Sequence, residues 1–534
     1  MQKPVNEPIL EYRKGSSERQ QLERELVRFS SSVTEVPIVI GKETIQGEQS
    51  MHQVMPHNHS KKIAKFSYAT SEMIEDSIKI SLEARKQWQA KSLQERSDVM
   101  LRAADLCAGK YRMALNASAM LGQSKTIVQA EIDAACELVD FLRFNAYFAL
   151  QLEKYEPIST TTVSNRMTYR PLEGFVASIS PFNFTAIGGN LASCPAMMGN
   201  AVLWKPSDTA VLSNYVTFQI LQEAGVPAGL INFVPADGPI FGEAVTASPH
   251  LAAINFTGSV PTFRWLWKQV ALNLETYHTF PRLIGECGGK NFHFVHPSAD
   301  VDTVAACTVR SAFEYQGQKC SACSRLYVAD SLWPDIKQRM AAIIGQIKVA
   351  DPEEDATFMG AVIDQKAFER IKSYIKHAES SQNLNIVLGG KCDNSKGYFV
   401  EPTIVETTDA TDKMMREEIF GPVLAVYPYK DTDADNVLSS VKDATPFGLT
   451  GAVFSQDNQF LTKAQQVLKD AVGNLYLNDK STGSVVGQQP FGGARLSGTN
   501  DKAGGPHYTL RFASPQTIKQ CSVPLPDWRY PYMD

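Results

Sequence analysis

No apolar run in this chain reaches the roughly 18 residues that a membrane-spanning helix needs. The opening segment, MQKPVNEPILEYRKGSSERQ, has no apolar core, so no secretory signal is expected. Glu7, Glu11 and Glu18 also make it too acidic for a transit peptide. A strong charge excess is missing as well. The formal net charge is -5, which argues against nucleic acid or an anionic membrane as the main partner. Paired cysteines are not in evidence. The nine present are odd in number and scattered, which fits free thiols in a reducing compartment better than a disulfide framework. There is no GxGxxG fingerprint, no internal repeat, and no second CxxC that would complete a zinc site.

What is present describes a large globular α/β protein. The 534 residues, 43% hydrophobic and 20% charged, suffice for two or three domains with buried cores. Residues 1 to about 65 read as a polar, irregular surface arm with one short strand candidate at Pro37 to Ile40. The spacing of Ile74, Ile78 and Leu82, continued by Val99, Ala103 and Leu106, predicts helices. A longer core helix is predicted over 128–150, carrying Ile132, Leu138, Phe141, Leu142 and Phe148. From about 174, short apolar runs begin at Phe175, Ala201, Leu230 and Leu251, with helices between them. One helix runs from Ser207 or Asp208 to about Ala224, stopped by Gly225 and Pro227. Such βαβ units make a parallel sheet, which binds ligands at the carboxyl ends of its strands. A second α/β stretch spans about 295–480. The tail from about 506, rich in proline and aromatics, is expected to pack on a neighbouring element or chain.

Chemistry is concentrated in a few segments. Cys320 and Cys323 form a CxxC that reads three ways: structural thiols, a redox pair, or an activated nucleophile. His293 and His296 are the histidines that a zinc reading would recruit. Glu286 lies in a glycine-rich turn, where desolvation would raise its pKa into the range of a general base, unless it is a solvated loop acid. Asn183 follows a predicted strand and could donate to an oxyanion, or simply make a turn. Trp204-Lys205-Pro206-Ser207 and Phe256-Thr257-Gly258-Ser259-Val260-Pro261-Thr262 each follow a strand and open a helix, a favourable place for a pyrophosphate.

Taken in order, Ser180-Pro-Phe-Asn183, Trp204-Lys205-Pro-Ser, Phe256-Thr-Gly-Ser259, Glu286-Cys-Gly-Gly-Lys-Asn, Gly317-Gln-Lys-Cys320 and Glu418-Ile-Phe-Gly-Pro resemble the aldehyde dehydrogenase superfamily from about 60 to 525. The segments Asn291–His296, Phe313–Arg325 and Ser481–Lys502 look like its Δ1-pyrroline-5-carboxylate dehydrogenase family, also called glutamate-γ-semialdehyde dehydrogenase. No motif position departs from the pattern.

The resemblance implies a Rossmann-like NAD-binding domain (66–152 and 173–295), an α/β catalytic domain (296–505) and a small oligomerisation β-element (153–172 and 506–534) after the 1–65 arm. Cys320 would be the nucleophile, Asn183 an oxyanion donor and Glu286 the general base. Ser180, Lys205, Gly258, Ser259, Val260, Pro261, Thr262 and Glu418 would contact NAD, with Lys205 and Glu418 on the riboses. Gly483 and Ser484 would hold the substrate's α-carboxylate, Phe184 and Phe491 its aliphatic chain. Glu137, Lys319 and Ser321 would line the pocket. No metal is expected. A homodimer or higher homo-oligomer is implied, in the mitochondrial matrix if eukaryotic and the cytoplasm if bacterial. The chain has no room for the proline dehydrogenase fused to some bacterial members.

Overall fold

A computed structural model describes residues 2–533. Two seven-stranded sheets organise it. Strands Phe175–Ile179 and Ala201–Lys205 are buried over their first four residues, and Leu251–Thr257 over its first six. Strands buried on both faces need helices on both sides, so such a sheet runs parallel. The first sheet follows the order Arg282–Glu286, Leu251–Thr257, Phe175–Ile179, Ala201–Lys205, Ile231–Phe233, Ile38–Ile40, Glu43–Ile45. Its first five strands are parallel, and the last two are antiparallel additions. The second sheet follows the order Leu384–Leu388, Thr403–Thr407, Val423–Tyr429, Cys323–Ala329, Asn291–Val295, Thr450–Phe454, Asn474–Leu477, parallel except at its first strand.

Two expectations need correction. The first 65 residues are not irregular. Helix Ser17–Ser30, capped by the Ser16 hydroxyl, buries Leu22, Leu26 and Phe29, and Ser50–Met55 pairs with Asn58–Ser67. The spacing of those three apolar residues is a narrow amphipathic stripe set in a polar sequence. The predicted 128–150 helix is helical throughout but changes gauge. Ile127–Ala130 is α-helical, Glu131–Cys136 is a π-turn, and Glu137–Leu152 is α-helical again. The wider turn rotates the buried face. Ile132, expected in the core, is 36% exposed, whereas Glu131 and Asp133 are buried.

The 153–172 segment supplies one strand, Val163–Pro171, paired antiparallel along its length with Ala513–Cys521. Among the described residues no helix is long and apolar enough to cross a membrane.

The chain leaves the first sheet at Glu286, on the carboxyl end of its strand, and enters the second at Asn291, the amino end of the next. Four residues make this crossing. The carboxyl edge of one sheet therefore faces the amino edge of the other. Ser180, Lys205, Gly258 and Glu286 stand on the first edge, and Cys320 lies just ahead of strand Cys323–Ala329 on the second.

Candidate active site

Cys320 is presented by a contorted loop. Tyr315, Gln316 and Gly317 take φ values of 51°, 56° and 63°, three left-handed residues in succession. A bulky aromatic there is strained, and strain of this kind persists only where the surroundings over-determine it. They do so here. The Gln316 amide donates to the carbonyls of Ser124 and Ala361, both at 3.1 Å. The Lys125 ammonium sits 3.5 Å from the centre of the Tyr315 ring. The Asn291 amide donates to the Cys320 carbonyl at 2.6 Å, which fixes the backbone on the other side. Burial, with the carboxylates of Glu286, Glu418 and Glu137 nearby, pushes the Cys320 thiol up from its ordinary range. A nucleophile in this setting needs a base to take its proton.

Glu286 lies close enough to act on the Cys320 charge. One carboxylate oxygen accepts from the Gly493 N–H at 3.2 Å. Burial, the largest influence, raises its pKa well above the usual carboxylate value, the Gly493 bond and Lys502 only partly offsetting it. Asn183 reaches the same loop, its amide donating to the Gln318 carbonyl at 3.1 Å. A primary amide has two N–H groups, so the second is free to face an oxyanion beside Cys320. The three residues come from three elements far apart in sequence, and the structure brings them together around one loop.

The residues expected at the cofactor stand along the carboxyl edge of the first sheet, except Glu418, which precedes strand Val423–Tyr429 of the second. Ser259 caps helix Val260–Leu272, its hydroxyl accepting from the Thr262 N–H at 3.3 Å, and Gly258 donates to the Glu286 carbonyl at 3.1 Å. Val260 borders a cavity of about 470 Å³ that also meets Trp267, Cys287, Arg495 and Thr499. The Ser180 hydroxyl accepts from the Trp204 indole at 2.6 Å. Burial lowers the Lys205 pKa, and its ammonium has one bond among the described residues, to the Pro206 carbonyl at 3.3 Å. Glu418 accepts from the Gly289 N–H at 2.7 Å, and its other oxygen lies where a Cβ on Gly288 would stand, 2.0 Å away. Only glycine permits that approach. Burial raises the Glu418 pKa to about 7. A desolvated ammonium and a desolvated carboxylate with spare donor and acceptor capacity suit the hydroxyls of two riboses, so the donor set fits a dinucleotide.

Behind Cys320 lies a buried cluster of charge. Lys319 lies 3.4 Å from Glu314 and 3.8 Å from Asp133, while Lys125 binds Asp133 at 2.6 Å. Burial opposes the Lys319 charge, but Asp133 and Glu314 outweigh it and its pKa rises. Burial, reinforced by Asp133, raises Glu137 well above its usual value. Both ammoniums face the Phe184 ring, at 4.8 Å for Lys125 and 5.8 Å for Lys319. Ser321 bonds Thr482 at 2.7 Å, tying the Cys320 loop to the segment that carries Gly483 and Ser484. The Tyr476 phenol lies beside both Ser484 and Cys320. Phe491 is bridged to Ala503, one residue before the Gly492-Gly493 approach to Glu286.

Sequence reasoning missed Lys125, Asp133 and Lys290. Asp133 stands on the π-turn, which no periodicity announces, and Lys125 meets it from the loop before helix Ile127–Ala130. Lys290 stood inside a recognised motif, and its burial was the missing fact. Its ammonium has no hydrogen-bond partner among the described residues, and burial beside Arg325 brings its pKa down to about 7.

The competing readings of the CxxC find no geometry. Cys320 and Cys323 are both free thiols, and Cys323 opens a core strand with its Sγ on the Arg325 carbonyl at 3.5 Å. His293 is buried between Thr308 and Ser481, bonding each at 2.9 and 3.2 Å. Both of its ring nitrogens are thus engaged, and one of them holds the Ser481 end of the segment that carries Gly483 and Ser484. Cys323→Ser should therefore keep most of the activity, within about threefold of wild-type kcat/KM, for a hydroxyl can fill the thiol's place in the strand. A thiol oxidoreductase would lose activity outright in the same assay.

Comparison with known proteins places the chain in a family. Residues 44–518 match the model of the aldehyde dehydrogenase family. Two curated relatives are each called Delta-1-pyrroline-5-carboxylate dehydrogenase, mitochondrial. The one from Homo sapiens is 58% identical over 532 residues (99% of this chain, 94% of the relative), and the one from Danio rerio 57% over 529 residues (99% and 95%). The crystal structure of the Delta-pyrroline-5-carboxylate dehydrogenase from Mycobacterium tuberculosis bound with NAD superimposes with a TM-score of 0.96 at 43% identity, covering 100% of this chain and 99% of that one. This chain belongs to the aldehyde dehydrogenase family, and it has that family's fold.

Proposed function

We propose that the chain oxidises L-glutamate γ-semialdehyde, which equilibrates with Δ1-pyrroline-5-carboxylate, to L-glutamate with NAD. This is the second step of proline catabolism. The names of the relatives support the reaction. The observation that carries the substrate is the buried charge of Lys319 and Glu137 near Cys320, with Ser321 bonded to Thr482, the residue before Gly483 and Ser484. A simple aliphatic aldehyde has no use for such groups. An amino-acid tail does, with Phe184 and Phe491 flanking the aliphatic carbons between tail and aldehyde.

In this reading Glu286 takes the Cys320 proton and releases it to solvent, and sulfur attacks the aldehyde carbon. The oxyanion takes hydrogen bonds from the free Asn183 N–H and the Cys320 backbone N–H. Lys205 and Glu418 would hold the NAD riboses, the amino end of helix Val260–Leu272 would suit the pyrophosphate, and Ser180 would contact the cofactor on the same edge. NAD, when bound, supplies the hydride acceptor, so the carbon leaves this stage as a thioester on Cys320. Glu286 then draws a proton from water, the hydroxide attacks the thioester, and glutamate leaves with Cys320 regenerated.

The test of substrate class is a comparison of kcat/KM for glutamate semialdehyde and propanal. A preference of roughly 100-fold or more for the semialdehyde is expected from a site whose polar groups propanal leaves unpaired. Comparable values would overturn the assignment. Glu418 makes a separate prediction. With a pKa of about 7, it is ionised above that pH and protonated below it. A charged acceptor on a ribose hydroxyl contributes about tenfold in affinity. KM for NAD should rise about tenfold as pH falls through 7, and Glu418→Gln should show no such dependence.

We also infer a homo-oligomer. The strand pair Val163–Pro171 and Ala513–Cys521 carries exposed apolar residues at its flanks, among them Ile158, Leu525, Trp528 and Tyr532. A surface of this kind is an interface signature. In a eukaryote the compartment would be the mitochondrial matrix, in keeping with the names of the relatives, and in a bacterium the cytoplasm.

A further inference from the structure

His57 forms the turn between strands Ser50–Met55 and Asn58–Ser67 and is 1% exposed. Among the described residues neither of its ring nitrogens has a hydrogen-bond partner. A buried polar group left this way calls for an explanation, an ion being one. The nearest anion is Asp351, whose Oδ1 stands 3.6 Å from Nε2. That is beyond the 2.7–3.2 Å or so of an N–H···O bond. It is close to the separation of two ligands on one tetrahedral ion, which at bond lengths of about 2.0–2.2 Å is roughly 3.3–3.5 Å. A third ligand is at hand. One atom each from His57, Asp351 and Glu353 lie within 4.8 Å of one another.

We propose that His57, Asp351 and Glu353 form a structural site for a divalent transition-metal ion, which ties the N-terminal hairpin to the second α/β unit. The two sides are already docked by backbone. Tyr398 donates to the Pro56 carbonyl and His59 to the Lys396 carbonyl, both at 3.0 Å. A Cβ on Gly397 would stand 2.5 Å from the His57 carbonyl, so the two chains touch there without a side chain between them. On the other side the Glu353 N–H donates to Asp351 Oδ1 at 3.0 Å, which aims that carboxylate. The imidazole is shut away from water, and a neutral ring offers a lone pair to an ion. Lys61 and Lys396 are the cations that face it and Asp351 the anion.

One imidazole nitrogen and two carboxylates form a borderline set. It suits zinc, manganese or cobalt better than calcium or magnesium, which prefer all-oxygen cages. Glu353 is exposed, which gives an ion a path of entry and leaves a position for water. The site has a route to the active site through the chain. Asp351 leads by strand Thr357–Met359 to Ala361, whose carbonyl holds Gln316 and whose N–H takes the Ser124 hydroxyl. His57, Asp351 and Glu353 themselves touch none of the residues around Cys320. Sequence reading expected no metal, because the ligands lie far apart in the chain and share no motif.

The probe is Co²⁺ added to the chelator-stripped full-length protein, because the nine thiols compete for zinc and cobalt spectra tell sulfur from nitrogen and oxygen. One Co²⁺ per chain is expected, with visible d–d bands, no sulfur-to-cobalt charge transfer, and a higher Tm. Glu353→Gln, at an exposed position, should weaken binding roughly tenfold or more, and His57→Asn should abolish it along with the Tm response. If His57→Asn fails to fold, Glu353→Gln and Asp351→Asn decide. No binding, a thiolate spectrum, or unchanged affinity in the carboxylate variants would overturn the proposal.

Discussion

Cys320→Ser should lower kcat/KM for glutamate semialdehyde by roughly 10⁴-fold or more while leaving the affinity for NAD unchanged. The reason lies in the electrostatics of the loop. Burial and the carboxylates of Glu286, Glu418 and Glu137 already oppose an anion at this position. A thiol can still be deprotonated there by a neighbouring base, because sulfur carries negative charge well. A hydroxyl is a far weaker acid and would need its anion formed in the same unfavourable place. The other thiols cannot substitute. Cys323 is built into a strand, and Cys287 is buried among apolar side chains. Stopped-flow detection of NADH and a separate NAD titration check both halves. Activity within tenfold of wild type would remove Cys320 from the mechanism.

Glu286→Gln should lower steady-state turnover by roughly 10²–10⁴-fold, the usual contribution of a general base. The amide still has an oxygen to accept from Gly493 N–H, so the loop should keep its shape. What is lost is the capacity to take a proton from water. If oxidation at Cys320 outlasts that loss, the variant forms up to one equivalent of NADH per site and then stalls as the thioester. Wild-type turnover should also fall with acid at a higher pH than an ordinary carboxylate would dictate. Burial raises the Glu286 pKa, so the carboxyl is protonated and inactive over a wider acid range. That acid limb should vanish in Glu286→Gln. A variant that turns over steadily with the wild-type pH profile would assign hydrolysis to another group.

The order of motifs was legible because each is a short polar signal placed just after an apolar run, from Ser180 to Glu418. The parallel sheets were legible for the same reason, in runs such as Phe175–Ile179 that are too apolar to alternate. The family resemblance added roles that the residues alone left open, above all for Cys320. What escaped depends on contacts between distant segments. The stripe of Leu22, Leu26 and Phe29 is too sparse to stand out in a polar stretch, and it becomes a helix through the surface it covers. The π-turn at Glu131–Cys136 carries Asp133 to Lys125 and Lys319, contacts that the helical periodicity of the segment does not announce. The left-handed run Tyr315-Gln316-Gly317 is held by Ser124 and Ala361, residues that nothing in the loop's own sequence names.

The central claim is that an acyl group rests on Cys320 between oxidation and hydrolysis. Peptide mapping by mass spectrometry tests it on Glu286→Gln quenched in acid after mixing with NAD and glutamate semialdehyde. The account predicts a glutamyl mass increment on the peptide carrying Cys320 and on no other cysteine, cleared by hydroxylamine. No adduct despite NADH formation, or an adduct on Cys323 or Cys287, would contradict it.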